Sequence, residues 1–163
     1  TGNQIGIKYF FDNILPFLKK DIRQKKIKVI FCGSGDLFSK YTKDQLKYIE
    51  IKGFVKDLDA EIKESDIFLL CNNVGYHYGG YTRVAYFMSS GAPLIAHKNL
   101  SKSMPELQHN YNCMLSENKF DMYKYLKELI ENKRLRNEIS ANALRTYSEI
   151  YAPKIVIKKL LNE

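Results

Sequence analysis

Three short apolar runs without polar alternation constrain the fold of this chain more than any other feature. They are IKVIFC at 27–32, DIFLLC at 66–71 and PLIAH at 93–97. A strand with one face in water alternates apolar and polar residues, whereas a strand covered on both faces does not. Segments of helical periodicity separate these runs, so the sequence predicts an α/β fold, a doubly wound parallel sheet with right-handed crossovers.

The segments between these runs predict the remaining elements. Apolar residues recur with helical spacing from Ile5 to Leu18, and Pro16 is expected to kink or restart that helix. Weaker strands are predicted at YIEI and NCML, and Gly91 is expected to end a helix. Further helices are predicted over about 37–47, from Asp57 or Asp59 to about Glu64, over about 80–90, 103–109, 118–131 and 133–150, and after Pro153.

Length and composition indicate one domain. The chain has 163 residues, 45% of them hydrophobic, which is enough for one sizeable core and too little for two ordinary domains. No apolar run approaches the roughly 20 residues of a membrane-spanning helix, and the first residues lack the pattern of a signal peptide. Cysteines at 32, 71 and 113 lie in or beside apolar runs, which predicts buried, reduced thiols.

The charge balance favours anionic partners. Lys+Arg total 26 against 18 Asp+Glu, a net charge of +8, which suits phosphates, nucleic acid or the acidic face of a membrane. The basic residues form several small groups along the chain, and a merely solvated surface is the commoner explanation of such groups. No nucleic-acid motif is present, and no nucleic-acid partner is expected.

Glycines follow the first predicted strand, at the edge of the sheet where such folds bind ligands. Gly33 and Gly35 stand in GSGD, but the third glycine of a dinucleotide fingerprint would fall at Phe38. No acidic residue ends a neighbouring strand at the distance needed to hold a ribose. The sequence therefore does not favour nicotinamide or flavin binding, although the glycines still allow a close approach of ligand or backbone.

A second glycine pair precedes the helix predicted over about 80–90. The amides after Gly79 and Gly80, with the positive end of the helix dipole, suit an anion such as a sugar diphosphate. Arg83, one turn into the helix, could add a bidentate contact to phosphate. A flexible turn with a surface arginine explains the same residues equally well.

Two polar residues beside this loop are further candidates. Asn72 ends a buried strand that faces the predicted cleft, and its amide could read sugar hydroxyls or simply make the turn. His77 lies in the loop and could touch the donor sugar or phosphate in a catalytic role. An exposed loop histidine without a role is the alternative.

Four segments in order carry a family resemblance: GSGD after a strand, GFVKDLDAEIKESDIFLL, GGYTRVAYFMSSGAPLIA and LKELIENKRLRNEISANALRTYSEIY. Over nearly its whole length the chain resembles the C-terminal, donor-binding domain of glycosyltransferase family 4. These are GT-B enzymes, in which two Rossmann-like domains face each other across a cleft. The resemblance implies that residues 1–163 are the nucleotide-sugar-binding domain, without the N-terminal acceptor domain, and leaves open a further strand of this sheet before Thr1.

The resemblance also implies an activity. A full-length relative would transfer a sugar, with retention of configuration, from a UDP-sugar or GDP-sugar to a glycan or lipid-linked glycan. The expected process is bacterial surface polysaccharide synthesis, such as that of lipopolysaccharide or O-antigen, in the cytoplasm. Peripheral contact with the anionic inner face of the cytoplasmic membrane is a further expectation. Neither a metal nor another cofactor is expected, and the fragment alone should be inactive.

Individual residues acquire roles from the same resemblance. The glycine-rich loop of the family falls on Tyr78–Tyr81, near the donor phosphates and sugar, and the segment against the base falls on Gly53–Val55. The Thr82-Arg83 pair matches one subgroup of relatives. The donor-binding residues expected from loop, strand ends and resemblance together are Gly33, Gly35, Phe54, Val55, Asn72, Tyr78, Gly79, Gly80, Tyr81, Thr82 and Tyr86.

Two tyrosines depart from the family pattern. Relatives commonly carry two glutamates eight residues apart, the first near the donor sugar and the second on the ribose hydroxyls, and these positions hold Tyr78 and Tyr86 here. A phenol cannot supply the charged two-oxygen acceptor that grips a diol. Either another group holds the ribose and Tyr86 packs the helix, or the domain is a non-catalytic GT-B-like binding or assembly domain. A nucleotide-sugar epimerase is a further alternative.

Overall fold

The computed structural model describes residues 2–33, 35–72 and 81–161. In these ranges helices and strands alternate along the chain. The strands are β1 (Ile30–Cys32), β2 (Glu50–Gly53), β3 (Phe68–Leu70), β4 (Leu94–His97) and β5 (Met114–Ser116). The α-helices are α1 (Gly2–Tyr9), α2 (Leu15–Arg23), α3 (Lys43–Leu46), α4 (Leu58–Lys63), α5 (Tyr81–Ser90), α6 (Lys119–Glu131), α7 (Lys133–Ile150) and α8 (Pro153–Leu160).

All strand pairs in the described ranges are parallel, as predicted. β1 pairs with β2, and β3, β4 and β5 form a second sheet in that order. Hydrogen bonds do not join β1 to β3 within the described chain, so the single sheet expected from the sequence is present as two parallel sheets. Parallel pairing brings the carboxyl ends of neighbouring strands to one edge of each sheet.

One long helical segment covers both sheets. A π-helical stretch, Phe10–Ile14, lies between α1 and α2, and Pro16, which has no backbone N–H to donate, lies in the first turn of α2 directly after it. The Phe10 and Phe31 ring centroids lie 5.3 Å apart, edge to face. The same apolar cluster includes Ile95 of β4, so this helix buries side chains from both sheets.

A second apolar cluster covers the opposite face of the three-stranded sheet. Leu94 and Ala96 point into it, whereas Ile95 between them points into the first cluster, which explains why PLIAH shows no alternation. α5 packs here against α7. Gly91 follows α5 with φ +68°, a left-handed conformation that favours glycine, and a Cβ at this position would also require the Leu144 side chain to shift.

Two predicted helices differ from the structure. In place of one helix over about 37–47, a 3₁₀ turn spans Gly35–Phe38 and α3 starts anew, because Thr42 and Gln45 form a capping box. The helix predicted over 103–109 is wrong. A 3₁₀ helix spans Lys98–Lys102 instead, because the His97 side chain caps it.

The cysteines differ in exposure. Cys71 and Cys113 are buried, and burial raises the pKa of each thiol to about 12. The prediction of a buried thiol is wrong for Cys32, which is exposed. Cys32 is the last residue of β1, where the strand reaches the surface. Among the residues that the structure describes, no helix is long and apolar enough to cross a membrane.

His97 should make stability depend on pH. Its Nδ1 accepts from the Asn99 amide at 3.2 Å, so Nε2 carries the proton and donates to the Glu117 carbonyl at 3.0 Å. Burial lowers the pKa of His97, against a smaller opposing effect of Glu117 and with help from Lys98 and Lys102. The unfolded state therefore binds more protons below its own histidine pKa, about 6.5.

The stability that neutral His97 contributes is complete above about pH 6.5 and is lost as the pH falls below it. We expect urea unfolding at about pH 7.5 and about pH 5.5 to show a larger acid destabilisation in the wild type than in His97→Gln. Equal losses in the two proteins would contradict this assignment.

Candidate functional site

Three elements meet where β3 ends. Asn3 in the first turn of α1 accepts two hydrogen bonds on its Oδ1 atom. Asn72 Nδ2, just past β3, donates one at 3.1 Å, and Arg83 Nη2, in the first turn of α5, donates the other at 2.9 Å. The structure thus brings the predicted residues Asn72 and Arg83 together through Asn3.

Glycine makes the contact between α1 and β3 possible. A Cβ on Gly6 would lie 2.7 Å from Asn72 Oδ1 and 3.2 Å from the Asn72 backbone nitrogen. Real Cβ atoms essentially never approach to 2.7 Å, and the 3.2 Å contact with a backbone atom is tight, so a side chain here would force Asn72 to shift. The absence of a side chain at Gly6 therefore lets Asn72 lie buried against α1, only 7% exposed.

Within the described residues Arg83 has no acidic partner. No carboxylate in ranges 2–33, 35–72 and 81–161 lies within ion-pair distance of it, and the oxygen it contacts is a neutral amide. Partial burial lowers the pKa of the guanidinium, which nevertheless stays protonated at neutral pH. A planar guanidinium can bind a phosphate group through two parallel N–H donors.

The ends of β1 and β2 form a second part of the candidate site. Gly33 donates its backbone N–H to the Gly53 carbonyl at 2.7 Å. Gly33 has φ +136° and Gly53 has φ +64°, and no atom lies within 4 Å of the place where a Cβ on either would stand. Phe54 follows with 90% of its surface exposed, while Val55 is half-buried. An open backbone beside an exposed ring suits the stacking of a planar group.

The third part is a contact between α4 and α5. The Tyr86 hydroxyl donates to Asp59 Oδ1, and this hydrogen bond is the main cause that raises the Tyr86 pKa to about 12. Asp57 caps α4 by accepting from Ala60 N at 3.0 Å, which leaves Asp59 available to Tyr86. The neighbouring helix thus places a carboxylate beside the tyrosine that occupies the glutamate position of the resemblance.

The predicted site residues fall into these three groups. Gly33, Phe54 and Val55 lie at the ends of β1 and β2, Asn72 and Arg83 share Asn3, and Tyr86 contacts Asp59. Thr82 is exposed in the first turn of α5, Tyr81 begins α5, and Gly35 begins the 3₁₀ turn. His77, Tyr78, Gly79 and Gly80 lie outside the described residues.

The structure adds Asn3 and Asp59 to the sequence candidates. The sequence offered Asp59 only as an alternative to Asp57 for the cap of α4. The structure assigns the cap to Asp57, so the Asp59 side chain is not needed there. Asn3 had no signal in the sequence. As for metals, the described part of the chain contains no group of three or more His, Cys, Asp or Glu residues that could hold one.

Comparison with known proteins identifies a family. A family model described as "Glycosyl transferases group 1" matches residues 1–132. No curated protein sequence matches the chain significantly.

Solved structures show the same fold. TarM from S. aureus, in a mutant crystallised with UDP, fondaparinux and alpha-GlcNAc-glycerol, matches with a TM-score of 0.77 at 19% identity, over 98% of this chain and 32% of TarM. Anabaena HepE, with UDP and glucose, matches with a TM-score of 0.70 at 16% identity, over 92% of this chain and 44% of HepE.

A third match covers most of a single domain. It is the C-terminal domain of LpcC, a glycosyl transferase group 1 protein from Francisella tularensis, with a TM-score of 0.65 at 19% identity, over 93% of this chain and 82% of that one. The chain thus spans about a third of TarM and under half of HepE. These matches confirm the predicted α/β fold of a GT-B glycosyltransferase domain.

Proposed function

This chain belongs to the Glycosyl transferases group 1 family, and we propose that it is the nucleotide-sugar-binding half of a two-domain retaining enzyme of glycosyltransferase family 4. The enzyme transfers a sugar from a UDP-sugar or GDP-sugar to a glycan or lipid-linked glycan. We place it in bacterial surface polysaccharide synthesis, in the cytoplasm, with no metal or other cofactor. The UDP in the TarM and HepE crystals supports the nucleotide part of this proposal.

The observation that carries the proposal is the Arg83 guanidinium beside the end of β3, which has no acidic partner within the described residues. Negative charge develops on the nucleoside diphosphate as it leaves the sugar. A cation held beside that group before the reaction stabilises the departing charge without further rearrangement. Arg83 fits this role because its oriented contact is to a neutral oxygen, at 2.9 Å, and not to a carboxylate.

For the ribose we propose that Asp59, held by Tyr86, supplies the acceptor that the family pattern would place at position 86. One Asp59 oxygen accepts from Tyr86, and within the described residues the second oxygen has no ion-pair partner, so we assign it to a ribose hydroxyl. No Lys or Arg of the described chain lies within ion-pair distance of Asp59, so its charge is not otherwise compensated. A carboxylate accepts hydrogen bonds on two oxygens and is a common partner of ribose hydroxyls.

The Asp59→Asn variant of the full-length protein tests the ribose contact. We expect its affinity for UDP to fall about tenfold, because a hydrogen bond to a charged group is lost. Its affinity for inorganic pyrophosphate, which has no ribose, should be unchanged. The matched control is Asp44→Asn, an exposed acid on α3 that pairs with Lys47 at 2.8 Å. A parallel loss of UDP and pyrophosphate binding would contradict the assignment.

The proposed function itself is tested by calorimetric titration of the full-length protein. UDP, GDP and their sugars are titrated separately, with UMP and ATP as controls. We expect saturable binding of one nucleoside diphosphate and of its sugar. If the folded full-length protein binds none of them, the proposal is wrong.

A non-catalytic binding or assembly domain is the second candidate. The tyrosines at 78 and 86, in place of the two family glutamates, favour it. A full-length protein that binds a nucleotide sugar but turns over no acceptor would support this candidate. Isomerisation of the bound sugar without transfer would instead indicate an epimerase.

A further inference from the structure

We propose that Asn3 is a positioning residue, whose amide oxygen fixes the Arg83 guanidinium for contact with the diphosphate of the donor. The inference rests on the proposed function, because it names a residue that prepares the same site. Asn3 itself need not touch the substrate. It acts by holding Arg83 in one orientation before the substrate arrives.

The geometry fixes the orientation of the Asn3 amide. Its Oδ1 atom accepts from Arg83 at 2.9 Å and from Asn72 at 3.1 Å, which uses both lone pairs of that oxygen. A flipped amide would turn its NH2 group toward two donors and lose both bonds. The NH2 group is therefore directed away from Arg83 and Asn72.

The anchor of this network is a buried, closely packed residue. Asn72 is buried at the end of β3, and the Gly6 backbone packs so closely on it that a methyl group would not fit. Arg83 is in contrast a long side chain at the surface. A long side chain loses conformational entropy when a ligand immobilises it, and a hydrogen bond formed before binding reduces that loss. Asn3 thus links an exposed, rotatable cation to a buried residue of the fold.

The chemical identity of Asn3 matters as much as its place. An aspartate at this position would hold Arg83 at least as firmly, but would compensate the charge that a diphosphate needs. The neutral amide orients the guanidinium and leaves its charge available. This difference separates a positioning role from a purely structural one.

The test is a double-mutant cycle in the full-length protein, with UDP and inorganic pyrophosphate as titrated ligands. We expect Asn3→Ala to weaken the binding of both about tenfold. In the Arg83→Ala background the same change should have little further effect, since the two residues act as a unit. Asn3→Asp, which is nearly isosteric, should also weaken binding of both ligands. The control is Asn137→Ala, an exposed asparagine on α7.

The outcomes separate this inference from the proposed function. Thermal unfolding shows whether each variant folds. If Asn3→Ala does not fold, ligand binding by Asn3→Asp provides the test. If the wild type binds UDP and Asn3→Ala binds it equally well, or if its effect adds fully to that of Arg83→Ala, only the role of Asn3 is overturned. Tighter binding by Asn3→Asp would overturn it too. If the wild type binds neither ligand, the proposed function fails, and the role of Asn3 fails with it.

Discussion

Replacement of Arg83 by alanine in the full-length protein is expected to weaken nucleoside diphosphate binding by about tenfold to a hundredfold. Hydrogen bonds to a charged group contribute about 1.5–3 kcal/mol, and each 1.4 kcal/mol corresponds to about a factor of ten in affinity. Arg83 has no carboxylate partner among the described residues, so its removal leaves no buried acid unpaired. The loss should therefore appear in binding and turnover and not in folding.

Isothermal titration with UDP and thermal unfolding separate these two effects. Arg83→Lys keeps the charge but loses the planar guanidinium. We therefore expect its affinity for UDP to lie between those of the wild type and Arg83→Ala. The matched control is Arg134→Ala, an exposed arginine that pairs with Glu138 on α7 at 2.8 Å. Unchanged UDP affinity in a folded Arg83→Ala protein would refute the phosphate contact.

The largest effect on stability is expected at Asn112. This side chain is 1% exposed and makes three hydrogen bonds. It accepts from Gln108 N at 2.8 Å and donates to the Glu106 carbonyl at 2.9 Å and to Thr146 Oγ1 at 3.0 Å. It thereby joins the segment before β5 to α7. Alanine at this position would leave buried polar groups unpaired, at about 1–3 kcal/mol each, so we expect a loss of about 3 kcal/mol or more in the free energy of unfolding.

The Asn112→Asp variant adds a pH signature. Its new carboxyl would face the Glu106 carbonyl in the core, so burial would favour the protonated form and the folded state would bind more protons than the unfolded state. Its stability should therefore fall as the pH rises from about 5 to about 7.5, by the linkage relation. Urea unfolding measures this, with the exposed Asn137→Asp as control. A variant whose stability rises with pH would contradict the buried orientation.

Burial on both faces made the central strands predictable. PLIAH was placed within a residue of β4, because Leu94 and Ala96 enter one apolar cluster and Ile95 the other. Where a side-chain cap sets the start of a helix, the sequence pattern did not predict the helix correctly. A helix was predicted over about 103–109, whereas the structure has a 3₁₀ helix over Lys98–Lys102, and the His97 side chain caps its start. Side-chain caps of this kind depend on a neighbouring strand end that periodicity does not register.

The residues of the candidate site likewise fall into two groups, those that the sequence predicted and those that it did not. Asn72 and Arg83 were predicted because each follows a strand end or begins a helix, which sequence order reveals. Asn3 contacts residues 69 and 80 positions away, and Asp59 contacts a residue 27 positions away. Such contacts arise from the packing of whole helices, so no local pattern could reveal them.

The exposed thiol at the end of β1 has a practical consequence. Cys32 is adjacent to Gly33 at the carboxyl edge of the sheet, while Cys71 and Cys113 are buried and hold their protons. A maleimide fluorophore would therefore attach selectively at Cys32, and slightly alkaline buffer would speed the reaction because partial burial raises this thiol's pKa as well. Among the three cysteines of this sequence, Cys32 is thus the one suited to labelling, next to Gly33 of the proposed donor site, and ligand binding could be followed there as a change in emission.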